Sequence, residues 1–498
     1  MNNNSLKKRL LSVAMAAVMV FSLLPATAWA AMAEDLPAAS GQARTEQKRG
    51  GSDTYTVTRD VKSVAAAQTG VVKKVTCLDL TTGEDKVSLD ADGGYRWVAG
   101  ANYLYLYKVQ IEAEGSNALI LPAGATVEVV GKCSITGGGA NECAVWSKGD
   151  VTVGLGQDAT LTVNGLGWRA EGNLTVAHAY DAYTGGELTV NYNGTSSDNG
   201  TSGAAIYMGS NTLRVEQGAR VTANGSGIGN VKAKDSCGVK GAVYVDGGAE
   251  LVADGGSAGS AGISYGIFGD VTVKNGTVTA NGGRGLQSYG VSGNSVSVSD
   301  GGVLNANGGT AVQDLNSSIK PISGGIYLGN NAVIENATVN ANGGVAPCGD
   351  SFASVGLQMT SRSEVTVNSG GVLNANGGQL TNGSSANETN GFSAGINMMD
   401  AGAANLFVNG TGRVTAIGNP ERLDGGTVIS YGVNHTDMGE LTIELSGVAS
   451  FKAAGGTAAS RAAFTPDTVS IKGSGAYRDF DNVTDGYKFL NSTYVRND

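Results

Sequence analysis

Histidine occurs only twice in the 498-residue chain, at His178 and His435, and proline only seven times. Aromatic residues make up 6% and charged residues 15% of the sequence. Two histidines so far apart give no basis for a histidine-rich metal site or a paired acid–base centre. The five cysteines, Cys77, Cys133, Cys143, Cys237 and Cys348, show no CxxC spacing, which argues against zinc. Their odd number leaves at least one thiol without a disulfide, and small core residues are the simplest reading. Beyond the N-terminal segment no Lys/Arg cluster stands out, the net charge is −10 and the pI is near 4.9. Such a balance does not suit a phosphate backbone or an anionic membrane, so nucleic acid is not an expected partner.

What the chain has in abundance is glycine, 78 residues, about twice ordinary usage. The glycines do not recur every third residue, which excludes collagen. Apolar residues are 41% and regularly placed, which excludes a disordered chain. Length alone would suggest about three globular domains, but internal repetition overrides that reading.

The N-terminus carries a secretion pattern. Lys7, Lys8 and Arg9 precede an apolar run, Leu10 to Leu24, broken only by Ser12 and Ser22. Small-x-small cleavage options follow at Ala28-Trp29-Ala30 and Ala31-Met32-Ala33. The run is shorter than the roughly 20 residues a membrane span needs. The expectation is an export signal at 1–33, a secreted or surface-associated product, and no membrane span after cleavage. No wall-sorting LPxTG motif is present to suggest how the product would be retained.

The phrase apolar-x-Ala-Asn-Gly-Gly ends the segments Val278–Gly283, Leu304–Gly309, Val339–Gly344 and Leu373–Gly378. Apolar-x-apolar alternation is a strand signal, and Asn-Gly is expected to turn the chain through positive φ. A second phrase places Gly or Ala before an apolar residue at Val145, Trp168, Ile206, Val239, Ile267, Val291, Ile326, Leu357, Ile396 and Val433. Each is followed by a Val-x-Val type strand, such as Val151/Val153 or Val271/Val273. Repeats as short as 23 residues, Val145 to Trp168, have room for three short strands. The expected fold is all-β: a right-handed, single-stranded parallel β-helix, a solenoid of about ten coils, since the left-handed hexapeptide repeat is absent. Domain limits follow: leader 34–76, entry strands and cap 77–118, β-helix 119–456, and a C-terminal cap or tail at 457–498 where the pattern dissolves. Tyr103–Tyr107 is the candidate N-terminal cap. Tyr477, Phe480, Tyr487, Phe489 and Tyr494 are the candidate cover for the other end. Longer repeats add Ser/Asn/Gly-rich inserts after the Asn-Gly-Gly turn, all on one side. Asn281, Asn307, Asn342 and Asn376 are expected to stack as an amide ladder.

The residue after each apolar position should face outward. That row reads Trp146, Arg169, Tyr207, Lys240, Phe268, Ser292, Tyr327, Gln358, Asn397 and Asn434. Aromatic faces stack on sugar rings, and Arg and amides hydrogen-bond hydroxyls. Trp146, Arg169, Tyr207, Phe268, Tyr327, Gln358, Asn397 and Asn434 are therefore candidate glycan-binding residues, although strand surfaces carry aromatics in any case.

No catalytic residue is assigned. The chain has no Asp-Asp pair, His-Gly or Arg-x-Pro-x-x-Arg. Cofactors are not evident. Calcium would have to use turn residues such as Asp270, Asp300 and Asp400, for which a plain turn role is the simpler reading.

The run ILPAGATVEVVGKCSITGGG and units such as YGIFGDVTVKNGTVTANGG resemble exported β-helix proteins of Gram-positive bacteria with the pectin-lyase-like fold. The resemblance covers about residues 100–460. It implies carbohydrate-binding or adhesin-like function. A structural surface spacer and a polysaccharide-degrading enzyme are the alternatives.

Overall fold

A computed structural model describes residues 73–498, apart from 140–141, 181–183, 195–202, 226–234, 260–261, 314–318, 349–351, 382–390, 399–401, 420–428, 436–439, 456–459, 465–468, 474–476, 482–486, 491–492 and 497–498. Side chains are described within 74–455, except those of His435 and Glu440. The export signal, nearly all of the leader, Asp400, much of each insert and the C-terminal aromatic side chains lie outside the described residues. Two compact units divide the chain, and the larger one, Val72–Leu89 with Gly93–Asp498, carries every feature below.

The fold is all-β with long parallel sheets. One sheet of fourteen strands collects the apolar-x-Ala-Asn segments in chain order, from Lys73–Thr76 to Tyr477–Asp481, every pair parallel. A 24-stranded sheet collects the other two strands of each repeat. The Gly/Ala-apolar positions pair in unbroken register: Val145 with Trp168, then Ile206, Val239, Ile267, Val291, Ile326, Leu357, Ile396 and Val433. All ten are buried in one core, together with the Val-x-Val pairs. Burying a Val or Ile side chain contributes roughly 1.5–3 kcal/mol, which makes this column the main source of cohesion.

The ends of the stack differ from expectation. Leu78–Asp79 pairs with the strand beginning at Leu119, so stacking starts before the first expected coil. Tyr103–Tyr107 pairs parallel with Ala125–Val130 on one side and antiparallel with Gly94–Val98 on the other. At the far end the pattern does not dissolve at Gly456. Ser460–Phe464, Val469–Gly473 and Tyr477–Asp481 extend all three strand columns in register.

The Asn-Gly-Gly turn works by space rather than by positive φ. None of Gly282, Gly283, Gly308, Gly309, Gly343, Gly344, Gly377 or Gly378 has positive φ. A Cβ on Gly308 would instead lie 2.6 Å from the Ser323 hydroxyl, and one on Gly309 would collide with the carbonyl of Gly283. The glycine before the apolar residue is held to the same limit: a Cβ on Gly266 would lie 2.6 Å from the backbone N of Asn281. Positive φ is used at the corner after the Val-x-Val strand, by Asn275, Asp300 and Asn336.

A buried serine column completes these turns. Ser264, Ser288, Ser323, Ser354 and Ser393 each donate to a turn carbonyl and accept from the next repeat's turn amide. Ser323 Oγ donates to Gly309 O at 2.8 Å and accepts from Gly344 N at 3.0 Å. Ser354 does the same with Gly344 O, at 2.8 Å, and Gly378 N, at 3.0 Å. The asparagine ladder forms as expected: Asn307 donates to Asn281 (2.8 Å), Asn342 to Asn307 (2.9 Å) and Asn376 to Asn342 (2.9 Å). It ends at Asp254, which accepts from Asn281 at 2.7 Å. A second run, Asn164, Asn191 and Asn224, lies beyond it in register. A carboxylate cannot donate to the Asn224 carbonyl, so Asp254 divides the ladder.

Two stability changes follow. Ser323→Ala strips partners from a buried amide and carbonyl and should lower stability by about 1–3 kcal/mol in urea denaturation. Asp254→Asn joins the two amide runs and should raise the melting temperature. An unchanged midpoint in both variants would contradict this account of the turns.

Candidate functional site

The outward row keeps its register across all ten repeats, from Trp146 paired with Arg169 to Asn397 paired with Asn434. Its exposure does not stay constant. Phe268 is 40% exposed, and Trp146, Arg169, Tyr207, Lys240 and Tyr327 are partly exposed. Gln358 is only 5% exposed, and Asn397 and Asn434 are 0% exposed. These three amides therefore do not belong to a surface row.

The reason is a second, smaller core on the outer side of the same sheet. The strand path is irregular at each Gly before the apolar residue, where Gly266 and Gly290 drop out of the pairing. Residues before that glycine pack outward. Tyr265, Tyr289, Ile322, Val355 and Ala394 form this cluster with Cys237, and Phe392 and Tyr431 lean on it. Tyr289 donates from its hydroxyl to Gln358 Oε1 at 3.2 Å, and Asn434 donates to Asn397 at 2.7 Å. The inserts contribute too: residues just after the Gly-Gly turns form a four-stranded parallel sheet from Arg284–Gly285 to Gln379–Thr381. The recurrent Ser-x-Gly-apolar phrase, as in Ser264-Tyr265-Gly266-Ile267, is the signal in the sequence for both the serine column and this outer cluster.

The exposed part of the row alternates rings and cations. The Arg169 guanidinium lies 5.6 Å from the Trp146 ring, and Lys240 Nζ lies 5.8 Å from Tyr207 and 5.6 Å from Phe268. Lys240, which was not among the candidate glycan-binding residues, thus belongs with the aromatic rings of the row. Tyr265 stacks on Phe268 at 4.8 Å, and Tyr289 meets Tyr327 edge-on at 5.6 Å. Beside this stretch is an open groove of about 440 Å³, lined by Ser210, Lys240, Phe268, Asp270, Ser292, Asn294 and Tyr327 among others.

The other candidates have local duties. Asp270 Oδ1 accepts from the backbone N–H of Asn294 and of Ser295, both at 2.9 Å. Asp300 has left-handed backbone and accepts from the Ser299 hydroxyl at 3.0 Å. Among the described residues no three His, Cys, Asp or Glu converge to hold a metal. His178 is buried in the strand Leu174–His178, and its Nδ1 has no hydrogen-bond partner. His435 ends the strand Ile429–His435. Among the described residues no helix is long and apolar enough to cross a membrane. No protein-family model, curated protein or solved structure matches the chain.

Cys77 is an exposed free thiol, Cys133, Cys143 and Cys237 are buried free thiols, and Cys348 is buried. Burial pushes Cys133 and Cys143 up to about 11 and Cys237 up to about 12, from an ordinary value of 9.0. The folded thiols keep their protons to higher pH than the unfolded ones. Their contribution to stability is therefore complete below pH 9 and is lost as pH rises toward 11–12. Denaturation midpoints should fall across that window, and fall less in a Cys133→Ala, Cys143→Ala, Cys237→Ala variant. Equal slopes would contradict the assignment.

Proposed function

We propose that the chain is an exported, noncatalytic surface protein, a right-handed parallel β-helix of about ten coils, that binds polysaccharide through the exposed part of one sheet face. The observation that carries this reading is the groove beside Phe268 and Tyr327, where aromatic rings, a cation, an amide and hydroxyls line one open cavity. Sugars offer apolar C–H faces and a ring of hydroxyls, and that mixture complements them. Trp146, Arg169, Tyr207, Lys240, Phe268 and Tyr327 form the binding row. Gln358, Asn397 and Asn434 serve the interior.

A second reading, a structural spacer with no ligand, draws on the same row: Arg169 and Lys240 already lie over rings of their own neighbours. Retention on a panel of immobilised polysaccharides separates the two. Phe268→Ala and Tyr207→Ala should each weaken retention about tenfold, the size of one stacking contact of roughly 1.5 kcal/mol. Thr366→Ala, on a different strand column, should leave it unchanged. Retention that survives both aromatic substitutions would favour the spacer.

A further inference from the structure

The corner joining the Gly-apolar strand to the Val-x-Val strand changes length from repeat to repeat. Seven positions separate Ile206 from Leu213 and six separate Ile326 from Ala332, but only four separate Val239 from Val243 and Ile267 from Val271. Because these positions stack in register, two short corners between longer ones leave a notch. The groove of about 440 Å³ is that notch, and its volume is in the range of small-molecule sites. Its floor is backbone: Gly241 and Gly269 stack so closely that a Cβ on Gly269 would collide with the Gly241 carbonyl. The longer corners form its walls, with Ser210 on one side and Asn294 and Tyr327 on the other.

We propose that this notch is a single-ring sugar subsite that takes an uncharged, hydroxyl-rich residue presented as a chain end or branch. The inference rests on the polysaccharide-binding reading above and narrows it. The walls rise along the stacking direction, so a chain running along the row cannot lie in the notch, whereas one ring can enter from the side. Phe268, backed by Tyr265 at 4.8 Å, supplies a firm stacking surface. Asp270 holds the wall through Oδ1, while its Oδ2 makes no hydrogen bond among the described residues. That oxygen, the Asn294 amide and the Ser210 hydroxyl are the partners for sugar hydroxyls. Lys240 and Asp270 give the lining one charge of each sign, which offers an acidic ring no net attraction.

The test uses the full chain bound to whichever immobilised polysaccharide retains it. Free methyl glucoside, methyl galactoside, methyl mannoside, N-acetylglucosamine and galacturonate are then applied at equal ionic strength. One uncharged sugar should elute the protein at a concentration at least about tenfold below galacturonate, the size of one lost hydrogen bond to a charged group. Ser210→Trp, which fills the notch, and Asn294→Ala, with melting curves checked against the parent, should each lose that sensitivity by about tenfold. Retention that no free sugar disturbs, or that Ser210→Trp leaves equally sensitive, overturns the notch while polysaccharide binding stands. Elution best by galacturonate overturns the uncharged-ring assignment. No retention on any polysaccharide overturns the binding reading and the notch with it.

Discussion

The structure depends on how closely successive turns approach one another. At each Asn-Gly-Gly the chain passes within van der Waals reach of the turn before it, and the buried serine hydroxyl between them donates to one turn and accepts from the next. Buried backbone groups must find partners, and here a side chain supplies them where strand pairing stops. Any side chain larger than hydrogen would hold the turns apart, which explains the paired glycines of the four Asn-Gly-Gly turns, none of which has positive φ. The asparagine ladder beside them adds a second set of repeat-to-repeat bonds that holds the register.

With two columns fixed in this way, variation is confined to the third corner and to the inserts. Corner length creates or fills a notch without disturbing the core, because Ile206, Val239, Ile267 and their neighbours keep their pairing whatever follows them. The inserts act on the opposite end of the same strand. The outward row is withdrawn from solvent at Gln358, Asn397 and Asn434, whereas rings and cations remain at the surface at Phe268 and Lys240.

Much of this was legible in the residues. The ten Gly/Ala-apolar positions and the Val-x-Val pairs all lie in the core, because a strict repeat constrains each of them through its neighbours above and below. The amide ladder from Asn281 to Asn376 followed from the same regularity. Period-two alternation gave a misleading answer at Gln358, Asn397 and Asn434: it tells which way a side chain leaves the strand, but not whether another layer covers that face. The serine column escaped notice because a serine reads as a generic polar strand residue until its turn partners are seen. Continuation past Gly456 was hidden because Arg461 stands where Ser430 and the other serines do in earlier repeats, which breaks the phrase while leaving the pairing intact.

Native-state hydrogen exchange tests the serine–glycine relay most directly. The amides of Gly309, Gly344 and Gly378 lie in turns but donate to serine hydroxyls. They should exchange as slowly as neighbouring strand amides such as that of Val339, opening only with the core. Exchange at the rate of exposed loop amides, with Val339 still protected, would mean that the turns are not held by the serines and that register is kept by the strands alone.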